Sequence, residues 1–413
     1  MKIGIIRERK TPPDTRVPLA PKQCKKILKD FNFELLVEPS PIRCFTDEDY
    51  QEAGIPLGYD MQGCDILMGV KEVPVEALIP GKTYFFFSHT IKEQPYNRKL
   101  LQAVLEKKIT LIDYEVVTDE WGRRLIAFGR FAGMDGAHNG VLMYGRRTGT
   151  FDMPRMKDFY NYAEAQAYYE EQLKLPPVRI VLTGTGRVGQ GAAQVLRDMG
   201  IRQVSPNDFL VKSYKEPVFA LLMSDDYAKR KDGSAFDKDD FHLTPELFES
   251  TFKPFTKVCD LMINGVYWDN KAPAFFTLED MRSPDFSIQA VADVTCDIAP
   301  VSSIPSTIRA STIANPIFGF DPVKEQEVAA HSPNAVDMMT IDNLPSELPR
   351  DASEAFGQMF IERVLPELLD PKSEVIERAT IARDGQLAGH FGYLENYVKG
   401  EKREADKLPS KSS

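Results

Sequence analysis

Residues 178–200 read VRIVLTGTGRVGQGAAQVLRDMG, and the order of signals in this stretch decides the fold. Arg179–Thr183 is a near-continuous strand signal, and Ala192–Met199 carries an apolar-periodic helix pattern. Between them Gly184, Gly186 and Gly189 make the spacing G-x-G-x-x-G, with Arg187 and Val188 inside it. The spacing alone is weak, since a chain with this many glycines gives about 0.1 such matches by chance. Its setting strengthens it. A strand–turn–helix unit aims free backbone N–H groups and the positive end of a helix at a pyrophosphate. Gly184 permits the tight turn, Gly186 keeps side-chain bulk off the phosphates, and Gly189 lets helix and strand touch. A carboxylate about twenty residues further on ordinarily accepts the ribose hydroxyls. Here QVSPNDFL (203–210) offers Ser205 at the strand end and Asp208 slightly late, while Arg187 is within reach of a phosphate. With neither a clear acid nor an arginine pair, the cofactor reads as NAD or NADP.

Working outward, the first 120 or so residues alternate strand and helix signals, which predicts a mainly parallel sheet. KIGIIRE, FELLVEPS, CDILMGV, TYFFFSH and ITLIDYEVV are strands, and PKQCKKILKDF, TDEDYQEAG and PYNRKLLQAVLEKK are helices. Thr46 is the expected N-cap of the second helix and Gly54 its stop. This half has no glycine-rich phosphate loop. Gly129, Gly133, Gly136 and Gly140 fall on one face if their stretch is helical, a bare face that lets another backbone or a ligand come close. Residues 152–174 read as a further helix, 205–255 as a charged insertion, and 350–395 as a segment returning to the first domain. The expectation is an α/β chain of two Rossmann-like domains, each a mostly parallel sheet flanked by helices, with a cleft between them. Its domains run 1–130 plus about 350–395, and 131–349, with a polar disordered tail over 396–413.

Composition narrows the class. A hydrophobic fraction of 43% and a charged fraction of 27% are those of a soluble globular protein. No apolar run approaches a membrane span, and MKIGIIRERK reads as a first strand, not an export signal. Five scattered cysteines without a CxxC pair argue against a disulfide framework and a zinc site, and fit the cytoplasm. A formal charge of −10 argues against nucleic-acid binding. The expected partners are small molecules, with no membrane, no nucleic acid and no metal, and with monomer or homo-oligomer left open.

Several polar residues sit where apolar strands end, the edge at which open parallel sheets hold ligands. They are Lys71 after CDILMGV, His89 after TYFFFS, Glu115 within LIDYEVV, Arg16 beyond the first strand and Arg124 in GRRLIAFG. Singly, each is more often a solvated or capping residue. Together they describe an anion-binding edge capable of acid/base chemistry.

The segments RVPLAPK (16–22), GVKEVP (69–74), FFSHTIK (86–92), LIDYE (111–115) and GRRLIAFGRFAG (122–133) resemble lysine–2-oxoglutarate reductase and lysine-forming saccharopine dehydrogenase. VLTGTGRVGQGA (181–192), LMINGVYW (261–268), ADVTCD (292–297) and TIDNLPSELPRDAS (340–353) continue the resemblance to about residue 370. More distantly the chain is similar to alanine dehydrogenase and the transhydrogenase subunit. The resemblance implies reversible interconversion of saccharopine with L-lysine and 2-oxoglutarate by hydride transfer. It implies Lys71 and His89 as acid/base groups, with Arg16 and Arg124 pairing bidentately with substrate carboxylates. It further implies that Glu72 and Glu115 hold the lysine or receive a substrate ammonium, and that Asp342 lies near the nicotinamide or the domain hinge. Physically, forming an imine requires proton transfers to a carbinolamine, and a lysine acts as a base only when burial or nearby cations lower its pKa.

The chain departs from the family pattern over 205–255 and at Cys296, where a small residue is expected. His138 reads as a solvated helix residue, and His242, His331 and His390 as surface residues. The alternatives are an alanine dehydrogenase or other opine-type amino-acid dehydrogenase, and a non-catalytic dinucleotide-binding regulatory protein.

Overall fold

The computed structural model describes residues 1–401; KREADKLPSKSS (402–413) lies outside the described residues. The chain divides into two units, Met1–Ala127 with Pro349–Ser413, and Phe128–Leu348. Along the chain the strands are β1 (Lys2–Ile5), β2 (Glu34–Val37), β3 (Ile66–Met68), β4 (Thr83–Phe86), β5 (Thr110–Asp113), β6 (Arg179–Thr183), β7 (Arg202–Val204) and β8 (Val218–Leu222). They continue with β9 (Ala228–Arg230), β10 (Phe248–Ser250), β11 (Leu261–Asn264), β12 (Ala290–Asp293), β13 (Ile317–Asp321), β14 (Gln326–Val328), β15 (Val336–Met339), β16 (Thr380–Arg383) and β17 (Gln386–Leu387). The helices used below are α1 (Pro21–Asp30), α2 (Asp47–Glu52), α3 (Arg98–Glu106), α4 (Gly129–Thr148), α5 (Tyr162–Glu171), α6 (Arg187–Asp198) and α7 (Pro206–Val211).

The first unit is a seven-stranded sheet in the order β17-β16-β5-β4-β3-β1-β2. β1 to β5 pair in parallel, while β16 and β17 add an antiparallel edge. Continuous apolar strands such as Tyr84–Phe86 are buried because both faces of the sheet are covered. One face packs Leu67, Tyr84, Phe86 and Leu111 with Leu101 and Val104 of α3 and with Ile381, Leu394 and Tyr397 from the returning segment. α1 takes Pro21 in its first turn, and α2 has the full capping box between Thr46 and Asp49. Tyr397 corrects the expectation of a tail from 396. The ring is buried, its hydroxyl donates to the Gln94 carbonyl at 2.6 Å, and Arg98 lies over it at 5.2 Å.

The second unit is an eight-stranded sheet in the order β14-β13-β15-β12-β11-β6-β8-β7. Its strands from β7 to β15 are parallel, and β13 and β14 close one edge antiparallel. The glycine-faced stretch is helical as read: α4 packs on α6 and across β11 and β12. A Cβ on Gly133 would stand 1.8 Å from the Val188 carbonyl oxygen, and one on Gly140 would stand 2.9 Å from Ala292 Cβ. Backbone-to-backbone approach is therefore the reason for this face, which outweighs the roughly 1 kcal/mol that each helical glycine costs.

Three expectations are corrected in this unit. The charged stretch 205–255 is not all insertion, because VFALL (218–222) within it is β8, a buried strand hydrogen-bonded to β6 over five residue pairs. Only the β9–β10 ladder and its flanking turns stand apart as a separate two-stranded sheet. The helix expected over 152–174 is limited to Tyr162–Glu171, capped by Asn161. Residues before it run extended around Pro154, with backbone groups satisfied by α4: His138 Nε2 lies 2.8 Å from the Pro154 carbonyl, and Asn139 accepts from the Met156 N–H. His138 is accordingly not solvated. It is fully buried against the Tyr169 hydroxyl at 2.6 Å, and burial lowers its pKa to about 4.

Candidate active site

In the first unit the parallel strands end at one edge, and the loops leaving them carry the polar groups. The Glu8 side chain, just past β1, turns both carboxylate oxygens to the backbone of the loop after β3, accepting from Val70 N–H at 2.6 Å and Lys71 N–H at 2.9 Å. Burial pushes its pKa up to about 8 against those two hydrogen bonds. Sequence reading missed Glu8, although the RERK segment that carries it was in view. Its effect is to fix the backbone from which Lys71 projects. Burial pushes the Lys71 ammonium below the usual lysine range, and the Arg16 guanidinium acts in the same direction. Both are the conditions under which a lysine can take up a proton near neutral pH.

His89 leaves β4 in the left-handed region, φ 52°, at the head of a short 3-10 turn. Its Nδ1 lies 2.6 Å from Glu72 Oε1, while Lys10 Nζ donates to Glu72 Oε2 at 2.9 Å. The preceding Ser88 is tied to Asp113 through both its N–H and its hydroxyl. The loop is thus anchored to β5, one strand away. Glu72 shows a balance of opposing effects: burial raises its pKa, but the His89 hydrogen bond, the His89 charge and Lys10 win and hold it near 2.

That depression has a measurable consequence for stability. The folded value, about 2, lies below the ordinary 4.5, so Glu72 stabilises the fold above pH 4.5 and loses this contribution as pH falls toward 2. The full effect is about 3 kcal/mol at 1.36 kcal/mol per unit. Glu72→Gln is expected to flatten the acid limb of a stability-against-pH curve by that order. An acid limb as steep as that of the unaltered chain would contradict the pairing.

Arg16 does not stand where the resemblance implies. It is 3% exposed, and its Nε and Nη2 donate to the two oxygens of Asp14 at 3.0 and 2.7 Å. The edge that would grip a substrate carboxylate bidentately is therefore taken by Asp14, whose carboxyl burial and Arg16 together leave well below the usual range. Arg124 is different. It is 45% exposed and donates to Glu115 Oε1 at 2.7 Å, and Lys92, absent from the sequence candidates, lies 3.5 Å from the same oxygen and is 51% exposed. Burial raises the Glu115 pKa, and Lys92, Arg124 and His89 together more than reverse this. Its Oε2 is buried and accepts no hydrogen bond among the described residues, an acceptor suited to an ammonium. FFSHTIK already contained Lys92; its side chain reaches the edge because the 3-10 turn brings it back toward β5.

The second unit holds the phosphate loop. Gly184 has φ +95°, and a Cβ there would meet the Gly265 carbonyl oxygen at 2.4 Å. A Cβ on Gly189 would lie 1.7 Å from the Gly184 carbonyl oxygen, so loop and helix touch through backbone alone. Gly186 has nothing within 4 Å of its missing Cβ and caps α6 without a side-chain hydrogen bond. The first N–H groups of α6, from exposed Arg187 and from Val188, are left for an anion, so the residues present fit a dinucleotide pyrophosphate. Beneath the loop lies a buried polar chain: Thr183 donates to Asn264, and Asn264 donates to Asp293 and Ser303. Asp342 lies exposed beyond β15 and within electrostatic reach of Cys296, whose thiol burial pushes up. Asp208 is displaced from the expected ribose position. It sits in α7, after the edge strand β7, and its carboxylate accepts from Lys212 at 2.8 Å.

Residues 4–134 match the family model of the alanine dehydrogenase/PNT N-terminal domain. The chain is 31% identical to mitochondrial alpha-aminoadipic semialdehyde synthase of Mus musculus over 94% of its own length and 47% of the mouse protein. It is 27% identical to the saccharopine dehydrogenase [NAD(+), L-lysine-forming] of Emericella nidulans, covering 89% of this chain and 91% of that one. The chain is a relative of lysine-forming saccharopine dehydrogenase within the alanine dehydrogenase/PNT superfamily. It spans about half the length of the curated relatives it matches first, 47% of the mouse protein and 42% of the Arabidopsis thaliana one. Among solved structures, an L-alanine dehydrogenase shares the fold with TM-score 0.66 at 16% identity, covering 97% of this chain and 99% of that one. A transhydrogenase from Sinorhizobium meliloti follows with TM-score 0.52 at 15% identity, covering 94% and 100%. No helix among the described residues is long and apolar enough to cross a membrane.

Proposed function

We propose that this relative of saccharopine dehydrogenase is an NAD(P)-dependent oxidoreductase that interconverts saccharopine with L-lysine and 2-oxoglutarate. The observation that carries the reading is the Lys71 ammonium, held below the usual lysine range beside the His89–Glu72 pair on a strand-end edge that also presents Arg124, Lys92 and Glu115. In the direction of synthesis, lysine amine adds to the ketone of 2-oxoglutarate, water leaves, and the imine carbon accepts a hydride. The dinucleotide, held by Gly184, Gly186, Arg187, Val188 and Gly189, supplies or removes that hydride.

The residues of this chain do the rest. Neutral Lys71 removes a proton from the attacking ammonium, and its conjugate acid returns one to the carbinolamine hydroxyl as water departs. His89 shares the second proton transfer, its Nδ1 held toward Glu72 so that Nε2 faces outward. Arg124 and Lys92 receive substrate carboxylates in place of Arg16, which acts through Asp14 to set the local field around Lys71. Glu115 Oε2 accepts the ammonium of the substrate, and Asp342 contributes at the nicotinamide end of the sheet edge. No step calls for a metal. The five cysteines are all free, which supports a cytoplasmic location as part of the proposal.

Alanine dehydrogenase activity is the second reading, favoured by the shared fold. The test is oxidation of NADH or NADPH with 2-oxoglutarate and L-lysine, against reduction of NAD by L-alanine. Lysine-dependent oxidation is expected. Reduction by alanine without any lysine signal would move the activity to the smaller amino acid. Binding of dinucleotide with no turnover of either would leave a regulatory protein.

A further inference from the structure

The second unit departs from the usual strand sequence beside its phosphate loop. After β6 and α6 the chain makes β7, but β7 lies at the sheet edge, and the later β8 occupies the place next to β6. Thr183 pairs with Leu222, and Gly184 N–H donates to the Leu222 carbonyl at 3.3 Å, so the end of β8 touches the start of the phosphate loop. In an open parallel sheet the adenosine ribose of a dinucleotide lies over the carboxyl end of the strand neighbouring the loop strand, where an acid accepts from the ribose hydroxyls. Here that end is Met223-Ser224-Asp225-Asp226 and not the Ser205–Asp208 stretch.

The two acids differ. Asp226 is committed to its own turn, its Oδ2 accepting from Met223 N–H at 2.8 Å, and Ser224 hydrogen-bonds Tyr227. Asp225 is exposed, and its carboxylate makes no hydrogen bond or ion pair among the described residues. The next cations along the chain are already matched: Lys229 with Glu249 at 3.1 Å, and Arg230 with Asp232 and Asp240. A ribose with a free 2′-hydroxyl would find an acceptor at this strand end. A 2′-phosphate, carrying nearly two negative charges, would meet a carboxylate with no cation left to offset it.

We propose that Asp225 accepts the adenosine ribose hydroxyls and selects NAD(H) over NADP(H). The inference rests on the dinucleotide reading of the Gly184–Gly189 loop and is independent of the amino-acid substrate. It is tested by titrating NADH and NADPH into the full chain without amino acid, following heat or nucleotide fluorescence. The unaltered chain is expected to bind NADH about 10- to 100-fold more tightly than NADPH, the range of a charged hydrogen-bond pair. Asp225→Ser should erase most of that ratio, Asp225→Arg should invert it, and Asp208→Asn should leave it unchanged. Equal or tighter NADPH binding by the unaltered chain would overturn the proposal. So would an unmoved ratio in a folded Asp225→Ser protein, or a ratio that moves with Asp208→Asn. Binding of neither nucleotide would remove the dinucleotide reading and this one together. A clear NADH preference without lysine-dependent turnover would leave Asp225 standing and sink only the substrate.

Discussion

Lys71→Met is expected to lower turnover by about two to four orders of magnitude, the range of a lost general acid/base group. Methionine keeps most of the stem volume while removing a half-buried ammonium that the fold destabilises, so the melting temperature should hold or rise slightly. The pH profile gives the sharper signature. With Lys71 present, activity should rise with pH as the ammonium loses its proton, at a value below the ordinary lysine 10.5. The variant should lack that limb, because the group responsible is gone. Steady-state rates across the neutral and mildly alkaline range check both points. Turnover within tenfold of the unaltered chain, with the limb retained, would remove Lys71 from the chemistry.

Gly189→Ala should abolish measurable dinucleotide binding, a loss of at least about 100-fold, because a shift on the order of 1 Å at a positioned ligand costs that much. The added methyl would lie 1.7 Å from the Gly184 carbonyl oxygen and 2.6 Å from its carbon, so α6 must back away from the loop. Overpacking of this kind also costs about 1–3 kcal/mol of stability. Gly133→Ala provides the contrast, since its methyl would press on Val188 from α4 at 1.8 Å, outside the loop turn itself. It should destabilise to a similar degree while reducing affinity less. Nucleotide titration beside thermal melts separates the two effects. Undiminished affinity in a folded Gly189→Ala protein would mean that the pyrophosphate sits elsewhere.

Local chemistry made the alternating half readable from sequence. Thr46 and Asp49 form their capping box, Pro21 starts α1, and Arg179–Thr183 is a strand to the residue. The glycine face of α4 was legible because only a close approach explains four small residues at helical spacing. What escaped were features decided by tertiary pairing. The apolar pattern of β8 was masked by the charges around it, and no local signal says that a strand formed after β7 will insert between β7 and β6. At the candidate site, Lys71, His89, Glu72, Glu115 and Arg124 were found by type and strand-end position. The partner of Arg16 was not, because Asp14 two residues away in a loop reads as ordinary turn composition until the guanidinium folds back on it. Glu8 was missed for a related reason: its contacts, Val70 and Lys71, lie about sixty residues along the chain.

The first unit is closed by a segment made last. β16 covers the open edge of β5, the helix Pro349–Met359 lies on α1, and Tyr397 fills the core beneath α3. During synthesis the first five strands must therefore wait, with the β5 edge unpaired, while the whole of Phe128–Leu348 emerges. An exposed strand edge beside apolar surface is a template for wrong pairing. The nucleotide-binding unit, contiguous in sequence, can complete its own sheet in that interval. The newborn chain would thus acquire its hydride carrier's seat before its acid/base edge, and truncation ahead of residue 380 should leave a nucleotide binder prone to aggregation through the uncovered half.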